Sequence, residues 1–205
     1  MRRLVVAAIV FASVAALADD NRAGDALDAK NGFRDTALGT DFASFEGMKS
    51  AGKANGLLYF RRETDKLSLF NVDLQGIVYG FKDALLDEVV ITGAWSLKDR
   101  IKECEVDNDH VLANLIKAFG KAATNHSYSS PEGKRCLKSY NGGLGEPYCR
   151  VREWRGKKVR MSLFEIVTNV PSAAPAGTDK PEDWTGHSCR FVLEYARIAN
   201  PLDDL

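Results

Sequence analysis

Apolar positions fall into one long run near the start of the chain and then into short alternating runs. Residues 4–17 are apolar apart from Ser13. From residue 56 onward the stretches GLLYFRR, KLSLFNV, LQGIVYGFK and LLDEVVITGAW are rich in Leu, Val, Ile, Tyr and Phe. Polar or Gly-containing steps separate them, which predicts antiparallel strands. Lys82-Asp83-Ala84 is expected to turn the last two into a hairpin, and Gly80 inside a strand points to a bulge or a close backbone approach. Helical spacing appears twice. Phe42, Phe45 and Met48, behind Thr40 as N-cap, predict a short helix with one face on a core. Val111, Leu112, Leu115, Ile116 and Phe119, capped by Asp107 or Asn108 and ended by Gly120, predict a longer one. The link over residues 96–105 is expected to be partly helical, because Ser96 and Asp99 have capping-box spacing with Asp in place of Glu.

Strand patterns return in YCRVREW and KKVRMSLFEIV, joined by Arg155-Gly156-Lys157, and in CRFVLEYARI near the end. Between the last two, PSAAPAGTDKPEDWTG reads as a long exposed loop. The expected fold is α+β: an antiparallel meander with two helices in one domain over residues 32–199. Residues 19–31, DDNRAGDALDAKN, carry only small or isolated apolar side chains and are expected to be flexible, and residues 200–205 form a tail. A helix followed by strands occurs in both halves, with FKD and WRG at comparable hairpins, which hints at two related halves.

The first apolar run sets the expected compartment. Arg2 and Arg3 precede it, and Ala16-Leu17-Ala18 supplies the small-x-small pattern of a cleavage site, so residues 1–18 read as a signal peptide. The run is shorter than the ~20 residues a membrane-spanning helix needs, and no later run resembles a span. Removing 18 of the 205 residues, two arginines among them, leaves 26 Lys+Arg against 28 Asp+Glu. No global basic field remains to attract nucleic acid. Cys104, Cys136, Cys149 and Cys189 all lie beyond the leader, and an even number of cysteines in an exported chain predicts two disulfides. Three pairings are open. We favour Cys136 with Cys149, stapling the Gly-rich segment between them and leaving Cys104 with Cys189. The absence of any C-x-x-C pair argues against a zinc knuckle or a thioredoxin-type redox motif.

GFRDTALGTDFASFEGMK, LLYFRRETDKLSL, IVYGFKDALLDEVVI, LIKAFGKA and REWRGKKVRMSL together carry a resemblance. Over residues 32–198 the chain resembles a family of uncharacterised bacterial exported proteins. Members of that family have a Gly-Phe-Arg opening, a Gly-Thr helix start, a tyrosine-rich meander, a second helix ending Tyr/Phe-Gly and a Trp-x-Gly hairpin. The resemblance implies export but no activity, and therefore no catalytic residue to carry across. The chain departs from the pattern in its cysteines and in loops around residues 125–146 and 171–186.

Motifs with possible chemistry weigh little. Ser50-Ala51-Gly52-Lys53 matches S-x-x-K, yet Gly52 disfavours the helix that motif needs, and no S-D-N or K-T-G follows. G-x-S-x-G is absent. Of His110, His126 and His187, the first follows acidic residues better explained as helix-capping and dipole partners, and the others sit in polar segments. NGGLGEP lacks the following helix of a phosphate loop. Asn125-His126-Ser127 is a glycosylation sequon, relevant only in a eukaryotic source. No catalytic residue, metal ligand or cofactor is assigned. One surface feature stands out: strand alternation puts Arg150, Arg152 and Trp154 on one face, opposite Cys149 and Val151, with Arg160 added from the hairpin partner. Such a strip would hold an acidic protein or an anionic envelope polymer. The expected function is a non-enzymatic exported binding or envelope-associated domain. The alternative is an inhibitor or immunity-type protein acting on an enzyme of the same compartment, and a hydrolase with an unrecognised site comes third.

Overall fold

The structure is a computed structural model that describes residues 22–93, 96–97, 101–126, 148–171 and 185–198. The leader, Cys136 and both long loops lie outside the described residues. The first helix, α1, spans residues 22–30, so this part of the segment expected to be flexible is ordered. Its face is small but sufficient: Ala23 and Leu27, four residues apart, are both buried, which is one helical turn on one side. Asn31, with φ 43°, ends the helix by donating its amide to the Leu27 carbonyl at 3.0 Å, the left-handed exit that Asn tolerates.

Strands β1 (Gly32–Phe33) and β2 (Thr36–Ala37) make a small hairpin. The helix expected around residues 40–48 is instead a single 3-10 turn, Phe42–Ser44, capped by the Asp41 carboxylate. Backbone groups of residues 39–42 bond to the segment 84–86 rather than to one another, so no helical ladder can grow. Phe42 and Phe45 nevertheless reach the core, edge-on to Phe81 at 5.0 and 5.2 Å, because three-residue spacing serves a 3-10 turn as well as a helix.

The main sheet follows. Its strands are β3 (Met48–Ala54), β4 (Leu57–Arg62), β5 (Ser68–Leu69), β6 (Val72–Lys82), β7 (Leu85–Gly93) and β8 (Ser96–Leu97), then, after helix α2 (Ile101–Phe119), β9 (Thr124–His126), β10 (Tyr148–Arg155), β11 (Val159–Pro171) and β12 (Thr185–Arg197). The spatial order is β3-β4-β6-β7-β12-β11-β10-β9, with β5 on β6 and β8 on β12, and every described pairing is antiparallel. The fold class is α+β with an antiparallel sheet and two helices.

This order has a two-fold pattern: each half is a helix followed by a meander, and the last strands of the halves, β7 and β12, pair at the centre. The FKD hairpin joins β6 to β7, whereas WRG joins β10 to β11. Topologically they are therefore one strand out of step, and the sequence hint matched the wrong pair of turns.

Three hairpins turn on two residues that both have positive φ: Asn55-Gly56, Phe70-Asn71 and Asp83-Ala84. That geometry matches the twist of the flanking strands. Gly80 marks a register shift in β6–β7, the bulge expected there, and a Cβ at this position would lie 3.0 Å from the Tyr59 ring, so what comes close is a side chain rather than backbone.

Both helices share one face of the sheet. Val111, Leu115 and Phe119 of α2, Leu27 of α1 and Val89, Ile91, Met161, Leu163, Phe191 and Leu193 of the strands form a single buried cluster. Helix α2 starts before Asp107 and carries Asn108 as a buried interior residue, while Ile116, expected in the apolar stripe, is exposed. Gly120, φ 78°, ends it. Cys104 of α2 is bonded to Cys189 of β12. Cys149 is also disulfide-bonded, while Cys136 is not among the described residues. No described helix is long and apolar enough to cross a membrane.

Candidate functional site

The arginine strip dissolves once the sheet has two distinct faces. Register pairs Arg150 with Glu165, Arg152 with Leu163 and Trp154 with Met161. These residues do share a face, but it is the face the helices cover. Trp154 is fully buried and donates its indole N–H to the Gly120 carbonyl at 2.8 Å. Arg152 is bound to the buried Glu165 carboxylate, with an Arg150 nitrogen 3.7 Å from the same oxygen. Arg160 pairs with Arg155 and lies on the opposite face. Alternation correctly says which residues are neighbours, but it does not say which side a helix will cover.

Exposed positive charge is found elsewhere, on the β3–β4 hairpin. From residue 48 to residue 62 the chain has Lys49, Lys53, Arg61 and Arg62 and no carboxylate. The hairpin forms because Asn55-Gly56 supplies the two left-handed residues of a tight turn. This pair was the signal for β3 that the apolar pattern missed, since MKSAGKA is almost wholly polar or small. After Met48 every residue of β3 is exposed, and Leu58, directly opposite Lys53, is half exposed. Two of the cations have local partners: Lys49 pairs with Glu63 at 2.5 Å, and Arg62 with Asp65 at 2.9 Å. Lys53 and Arg61 are exposed. The same strand settles Ser50 and Lys53: they sit in an extended strand around the Gly52 irregularity, not on the helical turn an acylating Ser–Lys pair requires.

On the face opposite the helices lies a group of carboxyls. Gly80 pairs with Glu88 and Ala196 with Glu88, so Glu88 and Glu194 are diagonal neighbours across β7 and β12. Tyr59 donates its hydroxyl to Glu88 Oε2 at 2.6 Å. Burial, together with the hydrogen bond to Glu88 and the charge of that group, pushes the Glu194 carboxyl up to about 8, with Glu153 adding to the effect and Arg160 opposing it. Ser162 of β11, buried, stands between Glu194 of β12 and Glu153 of β10. A cluster of Cys149, Val151, Ile166 and Val192 is buried on this same face.

The remaining candidates have structural roles or lie outside the described residues. His110 bonds through Nε2 to the Phe70 carbonyl at 2.9 Å, pinning α2 to the β5–β6 turn. His126 lies on β9 and His187 on β12, and NGGLGEP falls outside the described residues. Among the described residues no three His, Cys, Asp or Glu side chains are grouped to hold a metal ion. Comparison with family models, with curated proteins and with solved structures gave no match to this chain.

Proposed function

We propose that the protein is an exported, non-enzymatic binding domain that captures an acidic protein or an anionic envelope polymer with its β3–β4 hairpin. One observation carries this reading: an edge hairpin whose residues 48–62 hold four cations, Lys53 and Arg61 exposed among them, and no anion, with Leu58 half exposed beside Lys53. Charge of one sign steers and orients an acidic partner, and the apolar side chain adds contact area that charge alone does not. A rigid, two-residue turn limits the ordering cost of binding. An inhibitor that inserts this hairpin into an enzyme's cleft is the second reading, favoured by the same exposed edge. Disulfides suit an exported chain of this kind.

The test is capture of an acidic polymer and of acidic envelope proteins by the mature chain. Replacing Lys53 and Arg61 together by Glu is expected to lower capture at least tenfold and to flatten its salt dependence, because exposed charges are screened over ~8–10 Å. Stability should change by no more than about 0.5 kcal/mol. Leu58→Ala is expected to weaken capture without altering its salt slope. Unchanged capture by the Lys53/Arg61 double variant eliminates the hairpin as the site.

A further inference from the structure

We propose that Glu88 and Glu194 share one proton across the β7–β12 seam and that this proton is a latch between the two halves of the sheet, closed in acid and released as the surroundings turn alkaline. The described sheet joins its halves where β12 meets residues 88–92 of β7 and, farther along, the two residues of β8, whereas β11 pairs with β12 over the whole of Val159–Pro171. Charge repulsion placed on so short a ladder has more effect than the same repulsion elsewhere.

The groups that face the pair come from every neighbouring strand. From β4, the Tyr59 hydroxyl donates to Glu88 at 2.6 Å. β6 presents Val78 and Gly80, which carry no charge. β11 contributes Arg160 and Ser162, and β10 contributes Glu153, itself 3.9 Å from Arg155. Arg160 draws on Glu194, while Glu153 adds a third carboxyl. With the proton in place, the Glu194 hydroxyl donates to Glu88 and bridges the strands. When it leaves to water, the seam holds two carboxylates facing each other, and like charges at close range oppose pairing.

The direction of the pH effect follows from the raised Glu194 value. A carboxyl that keeps its proton in the folded chain but loses it in the unfolded one stabilises the fold fully below the ordinary Glu range. That contribution begins to drain away as pH rises past the ordinary Glu value and is gone above about 8.

The experiment compares urea unfolding of the full mature chain with that of Glu194→Gln, which keeps a donor to Glu88 but cannot ionise. Between about pH 5 and 8 the unfolding constant of the unaltered chain is expected to rise against that of the variant by up to tenfold per pH unit. Parallel curves throughout would overturn the latch. Where Glu194→Gln does not fold, Glu88→Gln and the unaltered chain decide. Infrared spectra should contain a protonated-carboxyl band at pH 7 that disappears by about pH 9, and amide exchange in the β7–β12 ladder, corrected for its intrinsic rate, should accelerate over the same interval. Absence of the band, or a band whose loss leaves ladder exchange unchanged, refutes the proposal. Hairpin capture is unaffected by either result, so this latch and the binding function fail separately.

Discussion

Asp28 shows how much one side chain can organise. Its carboxylate accepts the backbone amides of Lys157, Lys158 and Val159 at 2.7, 2.9 and 3.1 Å, tying α1 to the β10–β11 turn 130 residues away in sequence. Gly156 makes room for it, since a Cβ there would fall 2.2 Å from Asp28 Oδ1. Partial burial works against the ionised form, but the three amides and Lys158 outweigh it and hold the Asp28 carboxyl below its ordinary value. Its contribution is therefore present above the ordinary Asp range and lost as pH falls through the lowered value. Asp28→Ala is expected to destabilise the fold by about 1–3 kcal/mol at neutral pH, and its deficit should shrink below about pH 4; urea midpoints measured from pH 6 to 2 check both. A deficit that is the same at both ends would show that the amides do not select the charged form. No periodicity in the sequence announces Asp28, because its partners are backbone groups distant along the chain.

Elements were legible in proportion to how strongly their own residues decide them. β4, β6, β7, β10, β11 and β12 follow from Leu-, Val-, Ile- and aromatic-rich runs, and α2 follows from Val111, Leu115 and Phe119 at helical spacing. β3 and α1 were not found from apolar pattern because β3 has almost no apolar residue and α1 buries only two apolar side chains, Ala23 and Leu27. Each is held by a neighbour, β3 by the Asn55-Gly56 turn onto β4 and α1 by the sheet. The Cys104–Cys189 bond belongs to this scale, since it ties α2 to the central strand β12 across 85 residues. Both sulfurs are buried, and Asn108 Nδ2 lies 3.6 Å from Cys189 Sγ. Replacing Cys104 and Cys189 together by Ala is expected to cost about 2–5 kcal/mol. Urea unfolding without reductant measures this, and a loss under about 1 kcal/mol would mean that packing of α2 alone fixes it in place.

At the scale of the molecule the two topological halves do not have separate cores. Leu27 of α1 belongs to the same buried cluster as Trp154 and Met161 of the second half, and Phe81 of the first half belongs to it too. Unfolding is therefore expected to be one cooperative transition, since neither half can lose its core alone. A chain beginning at residue 32 should be less stable than one beginning at residue 19 by about 3 kcal/mol or more, since it loses a fully buried leucine and the Asp28 bonds. Calorimetry of the two chains decides the point, and equal stability would return residues 22–30 to the status of a dispensable segment.

Side-chain composition and period alone determined the class of fold, the strand-rich runs, the long helix, the bulge at Gly80 and the neighbours Arg150, Arg152 and Trp154 on one face. These depend on interactions within a few residues, which a local pattern records. Only the tertiary structure decided that this face is the covered one, that Trp154 is core and that Arg160 looks the other way. It also decided that exposed positive charge gathers on the β3–β4 hairpin and that Glu88 meets Glu194 at a central seam. A strand's two faces are equivalent in sequence until helices arrive on one of them, and β7 and β12 meet only after about a hundred residues of intervening chain have folded.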